Sequence, residues 1–554
     1  MRSPAPPPPL LSNWARTVSA RPAAFAEPES AAEVSALLRA VAARHGRVRV
    51  LGGGHSPNAG AFSADTMLSL RRMRRVLAVE RGAARGRPAR VRVEAGALLS
   101  ELNEALAAHA LALPNLGSVS EVTVGGVIAT GTHGTSGVAA ASASASSSAA
   151  AGGVAAAAAG YALGPLSSFV AELTVVLADG SVVVTSRERD DARLPFRAAL
   201  CHLGCLGVVT EAVLECAEAF DLRASCATQS FAALLEDCGA IGSSGEPGGA
   251  SEAATALGAA LARAADAPFA KLLWYPHTDL AVLWRAEPLP PLALRPPPPP
   301  PLLSLAGLAL RTRAAWRWCV ASGFGYYALE AALFVSLAAP TLLAPAITRL
   351  WAGVLFSTPA VLDADRSDRV LNIECLFRQR VSEWAVPLPR LPEALARLRG
   401  AIAGGSDGGG DGGSSGCFVA HFPVEVRFVA ADDAWLSPSF GPPGATFAFV
   451  GIVAYRPWGV DSDFRGLFAE FEAIMAALGG RPHWAKDFAL AGDAGFAARL
   501  PRWRDFKALR ARLDPGRLFV NDYVRRTLGL EDADADVDAE GADVSERAAS
   551  GRHG

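Results

Sequence analysis

Val48–Phe62 reads V-R-V-L-G-G-G-H-S-P-N-A-G-A-F. A short apolar strand runs into three consecutive glycines, and a histidine follows at once. Glycines let the backbone take positive φ and press against a bulky ligand, because no Cβ stands in the way. His55 then offers an imidazole nitrogen at the point of closest approach. Such a loop suits a ligand that carries phosphates and a ring able to accept a bond from a nucleophile. A plain turn between two elements would look the same in isolation. The stretch does not follow the G-x-G-x-x-G dinucleotide pattern, and no G-K-S or G-K-T makes it a P-loop.

Outward from this loop, helices and strands are mixed. Ala31–His45 carries Val34, Leu37, Leu38 and Val41 at helical spacing, which predicts an amphipathic helix. Arg90–Glu94 alternates as a strand should, and Leu98–His109 predicts a second helix. Val170–Val184 predicts a hairpin turning at Asp179-Gly180, and Gly207–Glu215 another strand. The mixture predicts an α+β fold with a first domain over residues 21–220, behind an N-terminal segment 1–20. A chain of 554 residues needs a further domain, which takes 221–530. Three stretches are of low complexity: 136–160 (Ala, Ser, Gly, Val), 288–301 (Pro) and 404–416 (Gly, Ser). None can build a specific core, so they read as solvent loops or disordered inserts, and the acidic tail 531–554 likewise.

The net charge of −2 removes the electrostatic case for a nucleic-acid partner. Eight cysteines form no C-x-x-C pair; Cys201 and Cys205 come closest, and all read as reduced core thiols, with no metal site expected. The opening M-R-S-P-A-P-P-P-P-L-L lacks a long apolar run, so no secretory signal is expected. Within 318–348 the only charge is Glu330, and the uncharged part approaches the length that spans a bilayer. Pro340 and Pro345 should break a helix near its end. The segment therefore predicts either membrane contact or a pair of helices, buried or lying on the surface. Nothing in the sequence sets an oligomeric state.

A second loop, Pro114–Gly134, reads P-N-L-G-S-V-S-E-V-T-V-G-G-V-I-A-T-G-T-H-G. Its small residues stand where a flat ligand would need close approach and backbone donors. With both loops in place, the chain resembles the L-gulonolactone oxidase / D-arabinono-1,4-lactone oxidase family of vanillyl-alcohol-oxidase type flavoproteins. The resemblance rests on Asn13–Thr17 (N-W-A-R-T), Gly52–Pro57, Asn115–Val127, His202–Val208 (H-L-G-C-L-G-V), Pro423–Phe428 (P-V-E-V-R-F), Gly479–Lys486 (G-G-R-P-H-W-A-K) and Leu513–Tyr523.

The resemblance implies a PCMH-type FAD-binding domain of two α/β subdomains, then an α+β substrate (cap) domain with a central antiparallel sheet. It implies FAD bonded covalently to His55, with Gly52, Gly53, Gly54 and Ser56 around the pyrophosphate. Gly117, Ser118, Thr123, Gly126, Thr130, Gly131, Thr132 and His133 would add contacts from the second loop, Val208 and Val209 near the adenine, and His483 from the cap. The implied reaction oxidises an aldono-1,4-lactone, L-gulono-1,4-lactone foremost, at carbon 2 with dioxygen, giving an ascorbate precursor and hydrogen peroxide. D-arabinono- or L-galactono-1,4-lactone, or a dehydrogenase with a protein electron acceptor, are the alternatives. Gly117 would leave room for dioxygen and favours the oxidase. The implied location is an intracellular membrane, the endoplasmic reticulum if the chain is like the animal enzymes, or the cytoplasm.

In His421–Ala430 the strand period puts Glu425 and Arg427 on one face, opposite Phe422, Val424, Val426 and Phe428. Opposite charges side by side on a core strand either pair structurally or serve a ligand. On the family pattern Arg427 holds the substrate oxygen and the flavin edge, and Glu425 orients Arg427 or Lys486 or accepts a substrate hydroxyl. Lys486 stabilises the alkoxide or takes its proton, and Ser118 joins the catalytic set. His483 shares a helical face with Lys486 if that segment is helical, or is simply core. Glu383 is a further candidate, or a structural carboxylate.

Overall fold

Ala24–Ala26 (β1), Val48–Leu51 (β2) and Thr66–Ser69 (β3) form a small parallel sheet with β3 in the middle. This is a computed structural model, and it describes residues 8–82, 88–137, 163–237, 267–289, 325–355, 360–361, 364–372, 377–404 and 420–530. The predicted amphipathic helix is Ala31–Ala43 (α1), started by Ser30, whose Oγ accepts the Glu33 N–H at 3.2 Å. It buries Val34, Leu38 and Val41, roughly 2 kcal/mol of stabilisation for each side chain.

Val76–Glu80 (β4), Ala89–Glu94 (β5), Val170–Val176 (β6), Val182–Ser186 (β7) and Val208–Glu218 (β8) build an antiparallel sheet in the order β7–β6–β8–β5–β4. The β6–β7 hairpin turns at Asp179-Gly180, where Gly180 takes φ +78°. Leu99–Ala108 (α2) and Val124–Thr130 (α3) connect these layers.

Asp221–Ser230 (β9), Phe269–Tyr275 (β10), Leu280–Pro288 (β11), Gln379–Pro387 (β12), Val424–Ala430 (β13) and Thr446–Tyr455 (β14) form the body of a nine-stranded sheet, counted among the described residues. Their order is β9–β11–β10–β13–β14–β12, antiparallel throughout. Gly325–Ser336 (α4) and Pro340–Leu355 (α5) lie beside it. Leu391–Gly404 (α6) and Arg465–Ala477 (α7) cover its apolar face, packing Leu395, Leu398, Phe471 and Met475 on Val424, Val426, Phe428 and Val450. The opposite face, carrying Glu425 and Arg427, is thereby left toward the two glycine-rich loops.

Four features differ from what composition and spacing suggest. Trp503–Leu513 (α8) and Asp522–Leu528 (α9) return to the N-terminal core, where Trp503, Phe506, Val524 and Leu528 pack with Val34 and Leu38. The Val48 N–H donates to Leu518 O at 2.7 Å, so the end of the chain holds the strand that leads to the glycine loop. Ser136 and Gly137 are not part of a solvent insert: Ser136 is fully buried, and its Oγ donates to Phe428 O at 2.9 Å. The apolar segment breaks at residues 337–339, before Pro340, and Pro345 sits inside α5. A proline on the first helical position loses no hydrogen bond, which lets Pro340 open the helix.

Residues 138–160, 290–301 and 405–416 of the three low-complexity stretches, residues 318–324 of the apolar segment and the acidic tail lie outside the described residues. No helix among the described residues is long and apolar enough to cross a membrane. Cys201, Cys205 and Cys216 are buried and Cys226 is half-buried.

Candidate active site

After β2 the loop Gly52–Pro57 folds against the second loop rather than standing alone. A Cβ on Gly52 would come within 2.5 Å of Thr123 Oγ1, so this glycine is required by loop-to-loop contact. Gly54 takes φ +71°, open to glycine at no cost. Asn13 and Thr17 brace the loop from outside: Asn13 Nδ2 donates to Ser56 O at 2.9 Å and Thr17 Oγ1 to Pro57 O at 2.6 Å. Arg49, buried beneath, donates to the carbonyls of Gly60, Leu203 and Phe519 at 2.6, 2.8 and 2.7 Å. The His55 ring stacks at 6.0 Å on Trp14. Its Nδ1 is buried with no hydrogen-bond partner among the described residues, and burial holds the imidazole below its ordinary pKa. It is thus neutral near pH 7, with a lone pair free to form a bond.

The loops open into a cavity of about 1240 Å³. Of the residues assigned from the sequence to cofactor or catalysis, all line it except Gly131, which caps α3 at φ +64°. Several hydroxyls are engaged locally: Thr123 Oγ1 accepts the Gly126 N–H at 3.3 Å, and Thr130 Oγ1 donates to Gly126 O at 2.9 Å. The space beside Gly117 is bounded by Thr132 Cγ2, which a Cβ would meet at 3.2 Å. Val208 and Val209 line the cavity at the start of β8.

The cap sheet closes the other side. Arg427 Nη2 donates to Ser118 Oγ at 2.7 Å and to Glu425 Oε2 at 2.5 Å, bridging the second loop to β13. Burial works to raise the Glu425 pKa, but Arg427 first and Lys271 next outweigh it and hold the carboxyl below its ordinary value. Lys486 pairs with Glu383 (3.8 Å), not with Glu425. Glu383 is buried; His133 first and Lys486 next hold it well below the usual carboxylate range against the opposing effect of burial. His483–Lys486 forms a turn, not a helix, closed by the Lys486 N–H on His483 O at 3.0 Å. Asn58 Nδ2, from the glycine-loop side, donates to Trp484 O and Lys486 O at 2.8 and 2.9 Å.

His133, Glu383 and His483 have ligand-type atoms within 4.8 Å of one another. The donor set does not fit a cation. His483 Nδ1 accepts the Ala485 N–H at 3.0 Å, so its Nε2 carries the proton, and the Lys486 ammonium already faces the carboxylate. Burial pushes His483 down to about 3, keeping it neutral.

Lys271 was not anticipated. Its Nζ lies 3.5 Å from Glu425 Oε1 and 5.0 Å from the Trp284 ring centroid, and burial lowers its pKa. A signal was present: only three of the 52 basic residues are lysines (Lys271, Lys486, Lys507), and two of them line this cavity. Arginine takes the other 49 basic positions.

The site fits FAD. Two glycine-rich loops in mutual contact, a neutral imidazole on the cavity wall, and a charged sheet lining the same cavity suit a nucleotide that carries a reactive ring. The comparisons agree. An FAD binding domain model matches residues 22–145, and a D-arabinono-1,4-lactone oxidase model residues 254–527. L-gulonolactone oxidase of Scyliorhinus torazame is 32% identical over 517 residues, covering 93% of this chain and 98% of that protein. D-arabinono-1,4-lactone oxidase of Eremothecium gossypii is 27% identical over 572 residues, covering 92% and 93%. The crystal structure of cholesterol oxidase from Brevibacterium sterolicum superposes with TM-score 0.64 at 17% identity, over 95% of this chain and 100% of that one, a likeness of fold.

Proposed function

We propose L-gulono-1,4-lactone as the substrate of this chain, which belongs to the L-gulonolactone oxidase and D-arabinono-1,4-lactone oxidase family. Its activity is FAD-dependent oxidation of an aldonolactone. FAD, when bound, accepts the hydride and hands the electrons on to dioxygen. The residues of the chain do the rest. The observation that carries the reading is the Ser118–Arg427–Glu425 bridge, which sets a cation and a carboxylate of the cap sheet directly on the cofactor loop.

Oxidation at carbon 2 removes a hydride from the carbon and the proton from its hydroxyl; loss of the proton puts negative charge on the oxygen until the hydride leaves, and only preorganised donors inside a closed site meet that charge cheaply. Arg427 and Lys486 supply them. Glu425 fixes Arg427, Glu383 fixes Lys486, and Ser118 ties the set to the loop. His55 is the covalent anchor of FAD and has no part in the proton transfer.

Higher identity to the gulonolactone oxidases supports the six-carbon lactone. Anaerobic mixing with L-gulono-, L-galactono- and D-arabinono-1,4-lactone should bleach the flavin fastest with the first. Faster bleaching by another lactone would replace the substrate, and no bleaching by any would remove the reading. Oxygen uptake that lags behind reduction of a dye acceptor would mark a dehydrogenase.

We further propose that α4 and α5 rest on a membrane surface inside the cell. Tyr327, Val335, Leu342 and Leu350 are 66, 59, 72 and 64% exposed, beside Trp458 at 59%. The only charges between residues 325 and 355 turn to the protein: Glu330 accepts the Trp458 N–H, and Arg349 donates to His277 O. An apolar face on which Arg349 is the one exposed charge between residues 325 and 355 suits shallow insertion rather than spanning. The parent should float with phosphatidylcholine vesicles, and L342E/L350E should not; a parent that stays in the dense fraction ends the proposal.

A further inference from the structure

β14 reads T-F-A-F-V-G-I-V-A-Y and lies between β13 and β12, so Gly451 occupies the middle of the nine-stranded sheet. Glycine weakens a strand interior, because it has the most freedom to lose and no side chain to pack. Nothing in the fold asks for it. Its φ is not in the left-handed region, and a Cβ built there would meet no atom closer than 3.7 Å, only Glu383 at ordinary contact. The same strand uses alanine at positions 448 and 454.

What surrounds Gly451 gives the reason. It is in register with Glu425 on one side and Glu383 on the other, and all three line the cavity. The two carboxylates, each held by its own cations, repel across the gap and do not close it. Ionised carboxylates only accept hydrogen bonds, so the occupant of the gap presents hydroxyls.

We propose that Gly451 sets the depth of the substrate seat: the hydroxyl-bearing edge of the lactone lies against its Cα, between Glu425 and Glu383, in the space a Cβ would fill. This deepens the lactone reading and rests on it. Gly451 is then a specificity-determining residue, and a polyol-like ring face is selected over an apolar one because the floor is bare backbone between two acceptors.

Gly451→Ala adds one methyl in that space. Its KM for the lactone should rise about ten- to two-hundredfold, the range for one methyl-sized misfit in a closed pocket, with kcat changed less. Flavin content should match the parent and melting temperature should equal or exceed it, and Gly451→Ser should behave as the alanine variant does. An unchanged KM in Gly451→Ala overturns the assignment. So does a loss of flavin or of melting temperature, which would make the glycine structural. A parent that no lactone reduces fails the underlying reading and takes this one with it, whereas a reducible parent beside an unaffected variant fails this one alone.

Discussion

His55→Ala should free the flavin from the chain. Parent protein, denatured and precipitated in acid, should carry flavin fluorescence with the polypeptide, and the variant should carry none. Two observations support so complete an effect. The imidazole is held neutral by burial, so its nitrogen lone pair is present near pH 7. His55 also lines the cavity, directly after the three glycines of its loop. The variant should still bind FAD reversibly, because the loop is braced by Asn13, Thr17 and Arg49 rather than by the imidazole. Complete release of flavin from the acid-treated parent would refute the tether, whatever the variant does.

The parts of this molecule that could be read from its sequence are those whose physics is local. Hydrophobic period alone locates α1, and the G-G-G-H run marks its own loop because few other sequences allow that backbone. The alternation around Glu425 and Arg427 puts both on the cavity face, as β13 shows. What failed depends on partners distant in the chain. Lys271 meets Glu425 only because β10 pairs with β13, a register that nothing in either segment announces. Glu383 takes Lys486 from Glu425 for the same reason, through the turn that follows β12's short partner Arg481–Pro482. The helical reading of His483–Lys486 rested on a spacing of three that a turn satisfies equally well. Composition also misjudged Ser136, since a small polar residue is as able to bond a neighbouring strand as to face solvent. The glycines divide likewise: Gly52 and Gly54 are explained by contact and by φ, whereas Gly451 is explained only by what the cavity holds.

Lys486→Ala should slow anaerobic flavin reduction by lactone about 10²–10³-fold, the usual consequence of removing one donor to a developing oxyanion. Its flavin should remain attached. The segment is held by backbone, with Asn58 on the Lys486 carbonyl and the Lys486 N–H on His483, so truncating the side chain leaves the scaffold in place. Glu383 keeps its contact with His133, the first of the influences that hold its pKa down against burial. The lost ammonium nevertheless removes one influence that lowers the Glu383 pKa. That pKa therefore rises, and the acid limb of the reduction rate should move to higher pH in the variant. Lys486→Arg separates charge from shape. Arginine restores a cation but spreads it over a planar fork with fixed donor directions, whereas an ammonium is a compact point charge. In a chain that uses arginine almost everywhere, a lysine at this position implies that the compact charge is needed, so Lys486→Arg should recover the pH limb and little of the rate. An alanine variant reduced as fast as the parent would remove Lys486 from the chemistry, and full recovery by arginine would reduce its part to charge alone.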